Sequence, residues 1–148
     1  MLVQILGIFI GIFAFAIVTE TPRKYLLTAA LVGAVSGAVY LISESFGSGA
    51  VWASFFSALT AAFIAHILAR VLKVPVTLFL IAGILPTVPG GGMYRIVANA
   101  IEGNQTEMLN SLLETLEIAG DIALAVFFVD AIFHLIRSAA QNKHFTDK

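Results

Sequence analysis

The 148-residue chain has no cysteine and little charge: eight Lys and Arg with nine Asp and Glu make up 11% of it, against about 25% in soluble domains. Without cysteine neither a disulfide framework nor a thiolate metal site can form, and the redox compartment stays unread. The three histidines, His66, His134 and His144, have no close His-x-x-His or His-Glu-x-x-His spacing, so no metal site is expected. A net charge of −1 gives no basic field for nucleic acid. No Gly-x-Ser-x-Gly elbow or coherent Ser/His arrangement is present, so no catalytic residues, no cofactor and no enzyme activity are expected.

What is there is apolar. Hydrophobic residues are 59% of the chain and the mean hydropathy is +0.99, arranged in charge-free runs as long as a bilayer is thick. The expectation is an all-α polytopic membrane helix bundle forming a single transmembrane domain over 1–148, with short loops and no separate soluble domain.

Five spans are expected, at about 1–19, 25–43, 50–69, 74–100 and 111–136, followed by a cytoplasmic tail at 137–148. The first lacks the basic start and polar cleavage region of a secretory signal, so it reads as a retained helix. Pro22 helps to end it. Trp52 suits the interfacial aromatic belt at the start of the third span. With all five crossing, Arg23, Lys24, Arg70, Lys73, Arg137, Lys143 and Lys148 lie inside and only Arg95 outside, which places the N-terminus outside and the C-terminus in the cytoplasm. The alternative has four spans and a re-entrant segment around Pro86 to Ala100.

Small residues recur every four positions: Gly7 and Gly11 in the first span, Ala29, Gly33 and Gly37 in the second, Ser54, Ala58 and Ala62 in the third. Residues so spaced share a helix face and let backbones approach where lipid gives no hydrophobic drive, within the chain and against further subunits. Ser54, Ser57 and Thr60 can bond backbone carbonyls or line a path, and the former is favoured.

The fourth span cannot be one regular helix, because Pro86, Pro89, Gly90, Gly91 and Gly92 break it between Pro86 and Gly92. At about 1.5 Å per residue from Lys73, Pro86 stands roughly 20 Å into a core about 30 Å thick. Freed backbone groups at that depth are tolerated where protein or a water-filled cavity surrounds them, as at transporter substrate sites. A half-helix restarting near Gly92 would point glycine N–H groups at the break and could hold a carboxylate, with Thr87, Tyr94 and Arg95 nearby. The competing reading is a structural kink without ligand.

In the last span Glu114, Glu117 and Asp121 share one face with Asn110, whereas Asp130 and His134 lie nearly opposite. Acids at membrane depth are costly and face a cavity or a partner, so Asp121 and Asp130 are candidates for a proton or cation relay. A structural ion pair is the alternative for Asp121. Asp130 and His134 form either a proton-sensitive pair or a packing hydrogen bond. Glu114 and Glu117 read as a solvated vestibule, and His66 as interfacial and inert.

At the break, Pro86-Thr87-Val88-Pro89-Gly90 with Tyr94 and Arg95 resembles the Pro-Leu-Val-Pro-Gly element and downstream tyrosine of the threonine/serine exporter family in its short, small-subunit form. Trp52-Ala53-Ser54-Phe55 and the steps around Arg70 and Pro75 add to the resemblance. Thr87 stands where leucine is common, and Ala82 precedes Gly83 where Pro-Gly is frequent. The resemblance implies amino-acid export across a bacterial plasma membrane by a secondary transporter of small carboxylated metabolites, with threonine and serine as name substrates and dicarboxylates such as succinate as the alternative. It also implies a larger partner subunit of the same family in a hetero- or homo-oligomer. The substrate candidates are then Pro86, Thr87, Pro89, Gly90, Gly91, Gly92, Tyr94 and Arg95, and Asp121, Asp130 and His134 are the coupling candidates. The rivals are a structural membrane subunit whose glycine break docks a partner, and a passive pore.

Overall fold

A computed structural model describes residues 1–146, with side chains through Ser138; Asp147, Lys148 and the side chains of Lys143 and His144 lie outside the described residues. Every element among the described residues is helical: α1 (Leu2–Val18), a 3-10 turn (Arg23–Tyr25), α2 (Leu26–Ser45), α3 (Gly49–Leu72), α4 (Thr77–Ile84), a 3-10 turn (Leu85–Thr87), α5 (Gly90–Glu102) and α6 (Gln105–Thr146). The expected membrane helix bundle is the observed architecture. Three helices, α2, α3 and α6, are long and apolar enough to cross a bilayer; α4 and α5 qualify together as a pair bent by 51°, and α1 is a shorter apolar helix.

The packing follows from side-chain size. Ala29, Ala30, Ala53, Ala58, Ala61, Ala62 and Ala65 are completely buried, while Leu6, Ile10, Phe63, Phe127 and Leu135 face outward. A soluble core has the reverse pattern. In lipid the large apolar groups gain nothing by turning inward, so small residues take the interfaces and bring the helix backbones together. Some large groups do turn inward, Ile12, Val32 and Val129 among them, and Phe79 is fully buried with its ring edge-on to Tyr25 at 5.9 Å.

α3 is central and packs on α2, α4 and α6; α2 also receives α1 and α4, and α5 rests chiefly on α6. The three stripes of small residues have different fates. Those of α2 and α3 are buried as expected, whereas Gly7 and Gly11 look into open space and α1 packs instead through Ile12 and Ala16.

The end of the fourth segment also differs from expectation. The polar stretch from Glu102 to Asn110 is not a loop, since α6 already begins at Gln105. Only Gly103 and Asn104 separate the helices, with Gly103 at φ 77°, a left-handed turn that glycine makes without steric cost. Polarity marked where apolar character starts, not where the helix does. With 42 residues α6 extends over about 60 Å, and the expected tail continues it as far as Thr146.

The basic residues fall at two ends. Arg70, Lys73 and Arg137 border one cavity with Pro75, and Pro75 also adjoins the Thr19–Pro22 turn that leads into Arg23 and Lys24. Arg95 lies elsewhere, beside Tyr40 and Ala50.

Candidate functional site

The break in the fourth segment is built by proline chemistry and met by partners on neighbouring helices. Pro86 has no N–H, so the Ala82 carbonyl loses its helical donor. That carbonyl lies against Gly33 of α2, where an added methyl would stand 2.8 Å from it. The last carbonyls of a helix need partners from outside. Ser36 of α2 donates to the Gly83 carbonyl at 2.6 Å, and the Thr87 hydroxyl donates to the Ile84 carbonyl at 2.7 Å. Ser57 of α3 donates in turn to the Ser36 carbonyl at 2.6 Å. Serine hydroxyls thus connect α3 to α2 and α2 to the end of α4.

Val88 and Pro89 carry the chain across the bend, and α5 restarts at Gly90. The break is therefore shorter than Pro86 to Gly92, with the glycines forming the first turn of α5. Gly92 sits so close to Thr115 of α6 that a β-carbon would collide with its hydroxyl. The absence of side chains here serves contact between α5 and α6.

A cavity of about 230 Å³ opens at this point, lined by Pro86, Thr87, Val88, Pro89, Gly91, Gly92 and Arg95, by Tyr40 of α2, by Ala50 and Ser54 of α3, and by Glu114, Thr115 and Ile118 of α6. Gly91 and Gly92 belong to the first helical turn, whose N–H groups have no acceptor within the helix and carry the positive end of its dipole. Arg95 donates to Glu114 across the α5–α6 contact at 3.4 Å, and both side chains are about half exposed. Such a solvated pair contributes little to stability. The guanidinium keeps further donors for a second anion.

Six of the eight substrate candidates line this cavity; Gly90 and Tyr94 do not, and the Tyr94 side chain is exposed. The coupling candidates are not gathered with them. Asp130 and His134 border the cavity at the other end, and the Asp130 carboxylate lies 3.5 Å from Nε2 of His66. His66 is buried and stacked on Phe133 with 4.7 Å between rings. Asp121 is half-buried on α6, one turn beyond Ile118.

Sequence reasoning passed over Tyr40 and Thr115 and left Glu114 as vestibule. Ser111 and Thr115, four apart, carried a usable signal, because polar residues so spaced on an apolar helix mark a face away from lipid. Tyr40 had none.

Residues 4–132 match the family model described as Threonine/Serine exporter, ThrE. The chain belongs to the threonine/serine exporter family. Its match runs from α1 into the later part of α6 and so includes the break and every residue lining the cavity there. A membrane exporter chain, from a family of transporters and not of enzymes, accounts for the apolar bundle. No solved structure matches it.

Proposed function

We infer that the chain is the small membrane subunit of a secondary exporter for small carboxylated metabolites, of the threonine/serine kind. The observation that carries this reading is the cavity at the broken helix, where Thr87, the first-turn residues Gly91 and Gly92, and Arg95 meet. Helix N-termini and arginine both favour a carboxylate. Tyr40 and Ser54 offer groups for a substrate ammonium or hydroxyl, while Glu114 engages Arg95.

The bundle supplies one side of a pathway, and a larger subunit of the same family completes it in a hetero- or homo-oligomer. The end with Arg70, Lys73 and Arg137 faces the cytoplasm of a bacterium and the N-terminus faces outward, by the preference of basic residues for the inside. Asp121, one turn from the cavity residue Ile118, carries the coupling proton. Asp130 and His134, with His66, form a second titratable group at the cytoplasmic end.

The test is uptake of labelled threonine into inside-out vesicles holding this chain and the larger subunit, with serine and succinate as competitors. Saturable accumulation that collapses with the proton gradient is expected. Accumulation of succinate alone replaces the substrate class by dicarboxylates, and equilibration without accumulation makes the protein a pore.

A further inference from the structure

The second cavity, about 740 Å³, lies at the opposite end from the break, between the last turns of α3, the turn into α4 and the later part of α6. Its composition is divided. Ala69, Val74, Val76, Phe133 and Ile136 give it an apolar wall, and Arg70, Lys73 and Arg137 give it three permanent cations. Its one carboxylate, Asp130, is turned to His66. Lys73 and Arg137 form no ion pair among the described residues.

One of the cations is held in place. The Arg70 guanidinium lies 4.5 Å above the Phe133 ring and donates to the Phe133 carbonyl at 3.1 Å, which fixes its plane and leaves further N–H groups for a ligand. Lys73 ends α3 in the left-handed region at φ 54°, where glycine would be less strained. A lysine kept there retains a charge at backbone cost.

We propose that this cavity binds the phosphate headgroup of an anionic phospholipid. Three cations above an apolar wall, one of them fixed, match a headgroup and the first carbons of its chains. A threonine-sized carboxylate would leave most of the space unfilled, and the smaller cavity at the break already suits one. Arg137 lies beyond residue 132, where the family match ends, while Arg70 and Lys73 lie within it.

The test is lipid retention by the purified full-length chain, measured by native mass spectrometry from mixed phosphatidylglycerol and phosphatidylcholine micelles. Phosphatidylglycerol is retained preferentially, and Lys73→Gly and Arg137→Gln each lower the preference about fivefold. Lys73→Gly also relieves the backbone, so its loss of lipid does not reflect misfolding. Arg23→Gln, at the same end but outside this lining, leaves the preference unchanged. Equal retention of both lipids overturns the proposal, as does an equal loss in Arg23→Gln, which would mean diffuse surface charge. Displacement of the lipid by glycerol phosphate or inorganic phosphate as readily as by phosphatidylglycerol would make this a site for free anions and overturn it too.

Discussion

The Ser36 hydroxyl on α2 is bonded to the Gly83 carbonyl on α4 at 2.6 Å, one turn before the chain bends. Ser36 is completely buried, so no water can replace it. Ser36→Ala therefore leaves a carbonyl without its partner and lowers stability by about 1–3 kcal/mol. Ser57→Ala costs less, because its acceptor, the Ser36 carbonyl, lies inside α2 and keeps a helical donor. Thermal unfolding in detergent orders the two variants, and the reverse order would show that the serine link does not hold the break.

The glycines divide by what surrounds them. Gly83→Ala drives a methyl against Ala61 and Val32, and Gly33→Ala drives one against Ile12 and the Ala82 carbonyl; each destabilises by about 1–3 kcal/mol. Gly7→Ala and Gly11→Ala meet open space and are neutral or stabilising by up to about 1 kcal/mol in the isolated chain. Loss of co-purification with the proposed larger subunit in the latter pair would place that subunit on α1.

Gly90→Ala and Gly91→Ala also meet open space, so the fold and its assembly should survive them. Transport should fall in Gly91→Ala, whose new methyl stands at the cavity, more than in Gly90→Ala. Failed assembly in either variant would favour a docking role for the break, and full assembly with lost transport the substrate site.

Arg95 and Glu114 make opposite predictions although they form one pair. Arg95→Gln removes the cation proposed to meet the substrate carboxylate and raises KM about tenfold or more, the worth of a charged hydrogen bond. Glu114→Gln frees the guanidinium and lowers KM. Neither moves thermal stability by more than about 0.5 kcal/mol, since the pair is solvated. Parallel changes in KM would make the pair structural.

Asp121→Asn tests coupling. Threonine should still equilibrate across the vesicle membrane but no longer accumulate against its gradient. Unchanged accumulation removes Asp121 from the proton path.

The break was legible in the sequence because proline and glycine act on their own backbone and need no neighbour to be understood. Its partners were not. Ser36 falls off the stripe of Ala29, Gly33 and Gly37, and nothing in its position says that it faces α4. Gly7 and Gly11 have the same spacing as Gly33 and Gly37, yet only the second pair is packed, since spacing defines a face and not what covers it. The surroundings of His66 were hidden for the same reason: Phe133 and Asp130, remote in sequence, lie against it. The beginning of α6 was missed because polarity reports the depth of a residue and helicity does not follow depth.

The bend between α4 and α5 has a mechanical consequence. One side of the small cavity is held by α2 and α3 through Ser36, Gly33 and Ala61, and the other by α6 through the contact of Gly92 with Thr115. Along the chain only Val88 and Pro89 join α5 to the segment before it, while α3 packs against both α2 and α6. The pyrrolidine ring fixes φ of Pro89, so the soft torsions of this junction are φ and ψ of Val88 and ψ of Pro89. The direction of α5 is governed by those few coordinates, and the seat of α6 on α3 sets how far the aperture opens.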